Sequence, residues 1–227
     1  MQRQALWSRP WAFLARQHPS ALLLFAQLLS LLIYPSMDDT NSGRLLFGAV
    51  ALVVVPLAVW VVNRSRSVRW VAWLLAIPAI LLTAIGVLLD HPGLLPISAT
   101  LEAALYFYAA GSLIAYMLHD HDVSADELFA AGATFTLLAW GFAYAFFVCQ
   151  AWYPDSFVGI EDPDRPRRWL ELLSLSFSNL SATGLSDIMP VGSPARVLVM
   201  LEQFAGIGYI AIVVSRLIGL TIIRHRR

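Results

Sequence analysis

The sequence predicts an all-α integral membrane protein: six transmembrane helices, with a short re-entrant helix and a polar loop between the fifth and the sixth. Three observations carry this. The chain is 59% hydrophobic and 13% charged over 227 residues, with a mean hydropathy of +0.68; a soluble domain carries about 25% charged residues. Its apolar residues fall in long runs, and runs of roughly 18 or more read as membrane spans. Near the C-terminal end, a helix-forming stretch too short to span is followed by the polar segment SATGLSDIMP at 181–190.

The spans follow in order. The first is about Ser20–Tyr34, apolar apart from Gln27 and Ser30. Arg3, Arg9 and Arg16 precede it as in a signal peptide, but Tyr34-Pro35-Ser36-Met37 is a poor cleavage site, so it is read as a helix. The second runs about Leu45–Val62, the third about Trp70–Leu89 and the fourth about Leu95–Leu118. Pro56 and Pro78 lie inside spans, where membrane helices tolerate them with a kink. The fifth starts after Ser124, with Ser124 and Glu127 in capping-box spacing, and reaches about Trp152. The last runs about Pro194–Ile223, with Ser193-Pro194 as N-cap and first-turn proline.

Arginine sets the expected orientation, since there is no lysine. The N-terminal tail, the Arg64/Arg66 loop and the tail with Arg224, Arg226 and Arg227 share one side, which the positive-inside rule makes cytoplasmic. Both termini are therefore expected in the cytoplasm. Arg165, Arg167 and Arg168 run against the bias. The fourth span has no Arg and one acid, Glu102, so 1–123 reads as a four-helix domain without an Arg-bearing voltage sensor, and 124–227 as a second domain. The net charge of zero gives no case for nucleic acid, and the single Cys149 allows no intrachain disulfide.

RRWLELLSLSFSNL (167–180) holds about 12 helical residues, or roughly 18 Å, short of a core of about 30 Å. Two readings stay open. It lies flat at the interface ahead of an ordinary loop, or it descends halfway and the chain returns through 181–190. In the second reading the non-helical backbone lines a polar cavity, and the partly negative helix C-terminus aimed at it attracts cations.

These residues resemble the pore domain of the potassium-channel superfamily, in particular small prokaryotic ion-channel proteins. Against the family pattern T-T-V-G-Y-G-D-I-x-P stand Ser181, Ala182, Thr183, Gly184, Leu185, Ser186, Asp187, Ile188, Met189 and Pro190, with Gly184, Asp187, Ile188 and Pro190 matching. Ser176, Phe177 and Leu180 fit the family's pore helix, and 193–220 its lining helix. The resemblance covers about 124–221. It implies a homotetramer in the lipid bilayer of the cell (inner) membrane, conducting monovalent cations, K+ or Na+, with no cofactor. Residues Ser181–Asp187 would form the ion pathway. The filter is altered: Ala182 lacks a hydroxyl ligand, Leu185 lacks a phenol, and Ser186 stands where glycine takes left-handed backbone. The expectation is weak selectivity, or a collapsed loop and a non-conducting sensor or subunit.

Other residues complete the reading. Ser178, Asn179 and Glu202 are candidate supports behind the loop, an acid within a span being functional by default. Gly206 and Gly208 are either a gating hinge or small-residue helix contacts. Gly184-Leu185-Ser186 allows a remote alternative, an intramembrane serine hydrolase, but all five histidines lie outside the later spans. His119-Asp120-His121-Asp122 reads as a solvated connector rather than a metal site, and Asp155, Glu161, Asp162 and Asp164 as an acidic outer rim. A cysteine placed at position 162 in a Cys149→Ser background is expected to react with a membrane-impermeant thiol reagent from the outer side. Labelling from the cytoplasmic side alone would reverse the topology.

Overall fold

In a computed structural model, the described residues are 19–33, 69–89, 91–119, 125–160 and 165–225. They form α1 (Pro19–Ile33), α2 (Arg69–Leu88), α3 (Leu95–His119), α4 (Ala125–Trp152), β1 (Phe157–Gly159), α5 (Trp169–Leu180), β2 (Ile188–Pro190) and α6 (Ser193–His225), with a 3-10 turn at Pro92–Leu94. Side chains are described to Arg216 in α6. The expected second span (Leu45–Val62), Ser124, Asp120–Asp122, Glu161, Asp162, Asp164 and the arginines of the two tails and the 64–66 loop lie outside what is described, apart from the backbone of Arg224. Among the described residues, Leu95–His119, Asp126–Trp152 and Ser193–Arg216 are long and apolar enough to cross a membrane, while Pro19–Ile33 and Trp70–Gly86 are shorter apolar helices.

α4 is the hub. Its apolar residues run all round the helix, so every face demands a partner. Within its membrane window 72% of residues are buried, against 22% for α6. α1 packs along α4, where Leu24 lies so close to Gly132 that an added Cβ would stand 2.9 Å from its Cδ2. Two polar contacts fix the register. Ser20 donates from its N–H and its Oγ to the Asp126 carboxylate at 3.2 and 3.1 Å, and Thr136 Oγ1 donates to Gln27 Oε1 at 2.6 Å. The first span therefore leans on the helix that opens the expected second domain.

α2 presents a stripe of small residues, Ala72, Ala76, Ala79 and Thr83, all buried, while Trp73, Leu74, Ile77, Leu81 and Ile85 remain exposed. Small-residue stripes let membrane helices approach closely, and this one meets α3, with Thr83 Oγ1 donating to Glu102 Oε1 at 3.0 Å. On the other side of α3, Tyr106 stacks on Tyr144 of α4 at 5.5 Å and meets Trp140 edge-on at 5.7 Å.

β1 and β2 pair antiparallel, with Val158 opposite Met189, and so tie the segment after α4 to the segment before α6. The Ser156 carbonyl accepts the N–H groups of Val191 and Gly192 at 2.9 and 3.3 Å. Between the strands, the Gln150 amide brackets Arg167: Nε2 donates to its carbonyl at 2.9 Å and Oε1 accepts its N–H at 3.0 Å. Burial raises the Glu171 carboxyl, but the hydrogen bonds from Arg165 and the Arg168 N–H, with the charges of Arg165 and Arg167, outweigh it and hold it below the ordinary 4.5. A lowered pKa means the clasp stabilises the fold above the ordinary value and is lost as pH falls through the lowered one. Gly132→Val is expected to force Leu24 away and cost about 1–3 kcal/mol, the usual penalty of overpacking. Thermal unfolding in detergent micelles, followed by near-UV circular dichroism, measures it; an unchanged melting temperature would show that α1 is not held at Gly132.

Candidate functional site

α5 is a 12-residue helix on an amphipathic sequence, opened by Glu171, whose Oε2 accepts the Arg168 N–H at 2.6 Å. Its buried face, Leu172, Leu173, Leu175, Ser176 and Asn179, turns to α4 and α6. Aromatic contacts seat it on α4: Tyr144 against Trp169 at 4.2 Å and Phe135 against Phe177 at 5.8 Å.

Helix ends leave carbonyls without intrahelical partners. Here the following loop curls back on them. The Ser178 carbonyl accepts the N–H groups of Thr183 and Gly184 at 3.0 and 3.2 Å, and the hydroxyls of Thr183 and Ser181 at 3.2 and 3.3 Å. The Asn179 carbonyl accepts the Ala182 N–H at 3.0 Å. Such a curl needs left-handed backbone, taken by Ala182 at φ 58° and Gly184 at φ 66°. For Ala182 this costs about 1–2 kcal/mol. The left-handed conformation thus alternates over 182 and 184, and Ser186 does not continue it. Instead the Ser186 Oγ accepts the Ile188 N–H at 3.1 Å. Ala182, Thr183, Gly184, Leu185 and Asp187 are exposed, Leu185 to 83%.

Behind the loop sits Glu202 of α6, fully buried. Its Oε1 is hydrogen-bonded to Ser176 Oγ, and its Oε2 accepts from Asn179 Nδ2 at 3.2 Å. Ser176 Oγ also lies 2.7 Å from the Ala139 carbonyl of α4. One hydroxyl proton faces two acceptors, so both contacts are complete when the carboxyl group brings a proton of its own. Three helices therefore meet at one carboxyl group.

Asn179 and Glu202 come together as the sequence suggests. Ser178 contributes its carbonyl, while its buried hydroxyl has no hydrogen-bond partner among the described residues. Ser176, the bridge itself, stands in the sequence only as part of a motif; its spacing of three from Asn179 on one helix face is the available signal. Gly206 lies against the end of α5, where a Cβ would stand 2.9 Å from the Leu180 carbonyl carbon, whereas a Cβ at Gly208 meets nothing within 4 Å. A second buried polar group is visible in the sequence only as the lone acid of its span: Glu102 is buried beside Tyr106, and Tyr106 OH and Trp140 Nε1 find no hydrogen-bond partner among the described residues.

Glu202→Leu is expected to cost about 1–3 kcal/mol, because buried donors are left unpaired. Glu202→Gln keeps a donor for Ser176 and an acceptor for Asn179, so its melting temperature should stay near wild type. Equal losses in the two variants would contradict the network.

Residues 132–222 match a protein-family model described as "Ion channel". No curated protein and no solved structure matched the chain. The matched stretch opens at the eighth residue of α4, contains all of α5 and the curled loop, and runs to within three residues of the end of α6. The match supports an ion-channel domain of the pore-loop type over residues 132–222.

Proposed function

We propose that four copies of this chain surround an axial pathway for monovalent cations, with 181–187 as the selectivity loop and α6 as the lining helix. The observation that carries the reading is the exposed, non-helical loop 182–185 at the end of a 12-residue helix. Unsatisfied backbone facing lipid costs several kcal/mol per group, so such a segment must face water or protein. An apolar stripe on α6 supports the assembly: Val197, Met200, Leu201, Phe204, Ile207 and Ile210 are all exposed in the single chain, Phe204 to 80%. In this arrangement α5 is re-entrant, the spans number six, and both termini are cytoplasmic in the cell membrane. The permeant K+ or Na+ ions are the only ligands the reading requires.

Selectivity is expected to be weak. A ladder of inward carbonyls needs backbone that alternates in hand, and here the alternation stops at Gly184. Leu185 brings no polar atom to brace the loop. The second reading, a non-conducting channel-like subunit, is favoured by the same two facts. A serine hydrolase would need a base at Ser186, whose oxygen instead receives the Ile188 N–H.

Recording from purified protein in planar bilayers separates the readings. Wild type is expected to pass K+ and Na+ with a permeability ratio below about ten, equivalent to about 1.4 kcal/mol. Leu185→Tyr with Ser186→Gly should raise the ratio, since a residue without a Cβ at position 186 can extend the alternation. A silent bilayer with intact tetramers by native mass spectrometry would favour the non-conducting subunit. Monomers as the largest species would remove the shared pathway altogether.

A further inference from the structure

α3 carries a single acid, Glu102, and buries it to 3% exposure between α2 and α4. A carboxyl group inside a membrane bundle is costly and marks a task. Two hydroxyls reach it. Thr83 Oγ1 of α2 donates at 3.0 Å, and the Tyr144 hydroxyl of α4 hydrogen-bonds to the same carboxyl group.

Tyr144 belongs to a cluster of four aromatic rings. It stacks on Tyr106 of α3 at 5.5 Å and lies against Trp169 at 4.2 Å. Trp140 meets Tyr106 and Trp169 edge-on, at 5.7 and 6.5 Å. Tyr106, Trp140 and Tyr144 are buried, and Trp169 is the first residue of α5. The cluster therefore leads from the acid of α3, across α4, to the first turn of the helix that ends in the loop.

The acid distinguishes between the two stacked tyrosines. The Tyr106 hydroxyl finds no hydrogen-bond partner among the described residues, whereas the Tyr144 hydroxyl is tied to Glu102. The tied ring is the one on which Trp169 rests. Apolar ring contact is non-directional, but a hydrogen bond fixes where the hydroxyl end of Tyr144 sits. Glu102 thus supplies the directional restraint on the seat of α5.

We propose that Glu102 is a positioning residue for α5 and its loop, acting through Tyr144 and Trp169, and that the leading helices α2 and α3 bear on the loop by this route. Only the last step, from α5 to selectivity, rests on the reading of 181–187 as the selectivity loop.

The test uses full-length protein in lipid nanodiscs, its eight tryptophans replaced by 5-fluorotryptophan and read by 19F NMR. Trp169→Phe identifies the Trp169 resonance. Glu102→Met fills the space without offering an acceptor and is expected to shift that resonance; should it misfold, Glu102→Leu takes its place. Glu102→Gln keeps a carbonyl oxygen for the Tyr144 hydroxyl and should leave the resonance near its wild-type position. In a Tyr144→Phe background no hydroxyl remains to be held, so Glu102→Met should add no further shift. Ser112→Ala, on the same helix but bonded to the Tyr108 carbonyl, should move nothing. An unmoved Trp169 in the folded Glu102 variants, or a full shift in the Tyr144→Phe background, overturns the tie. In bilayers Glu102→Met should also change the K+/Na+ permeability ratio about threefold, at the low end of coupling between residues in contact. A moved Trp169 with an unchanged ratio overturns the step to the loop. A silent wild type counts against conduction alone, and the resonance still decides the tie.

Discussion

Everything around the loop depends on one constraint: a helix that ends must find partners for its last carbonyls. α5 solves this by turning the chain back on itself, so that the Ser178 carbonyl alone accepts two N–H groups and two hydroxyls. That solution sets the backbone of the next residues. It puts left-handed φ at Ala182 and Gly184, and it leaves the carbonyls that follow without a helical partner. The exposed, non-helical course of 182–185 is thus a consequence of how α5 ends. The hydroxyls of Ser181 and Thr183 are turned back toward α5 and lie 3.1 Å from each other.

The same loop has to be held from behind, and the holding is done by a carboxyl group. Glu202 reaches two residues of α5, and Ser176 passes the contact on to α4. The segments that flank α5 and the loop are clamped separately, by the β1–β2 pair and the Gln150 bracket on Arg167. A loop fixed at both ends in this way keeps its shape without the aromatic brace of the resembled family. Leu185 is consequently free of any duty to the interior of its own chain, and its side chain stands outside it.

Much of this was legible in the sequence. Run length placed five of the expected segments within a residue or two of the helices seen, and 169–180 coincides with α5. Hydrophobicity is a property of residue type, so it reads directly. The pairings read less well. Asn179 and Glu202 were recognisable because a buried acid demands a donor, yet the bridge fell to Ser176, one of three serines on α5. Ser178 supports the loop through its carbonyl, which no side-chain pattern reveals. In the sequence Ala182 reads as a lost ligand; its left-handed φ comes from the curl around Ser178, not from any preference of alanine. That α1 leans on α4 was hidden as well, because Gln27 and Thr136 announce themselves only as isolated polar residues in apolar runs.

α6 shows how one helix serves two surroundings. Glu202, Gly206, Tyr209 and Arg216 follow one another at three-, four- and seven-residue steps and so share a face. Each makes a specific contact inward: Glu202 to α5, Gly206 to the Leu180 carbonyl, Tyr209 OH to the Ala131 carbonyl at 2.5 Å, and Arg216 to Glu127. The opposite face is apolar and exposed. The inward contacts are unequal. The upper end is gripped by a fully buried carboxyl group and a backbone-to-backbone approach that leaves no room for a methyl group. Lower down, Arg216 pairs with Glu127 of α4 at 3.4 Å, beside a groove between α3, α4 and α6. Specific inward contact on α6 is therefore closest where the helix passes the loop, over the Glu202–Gly206 segment.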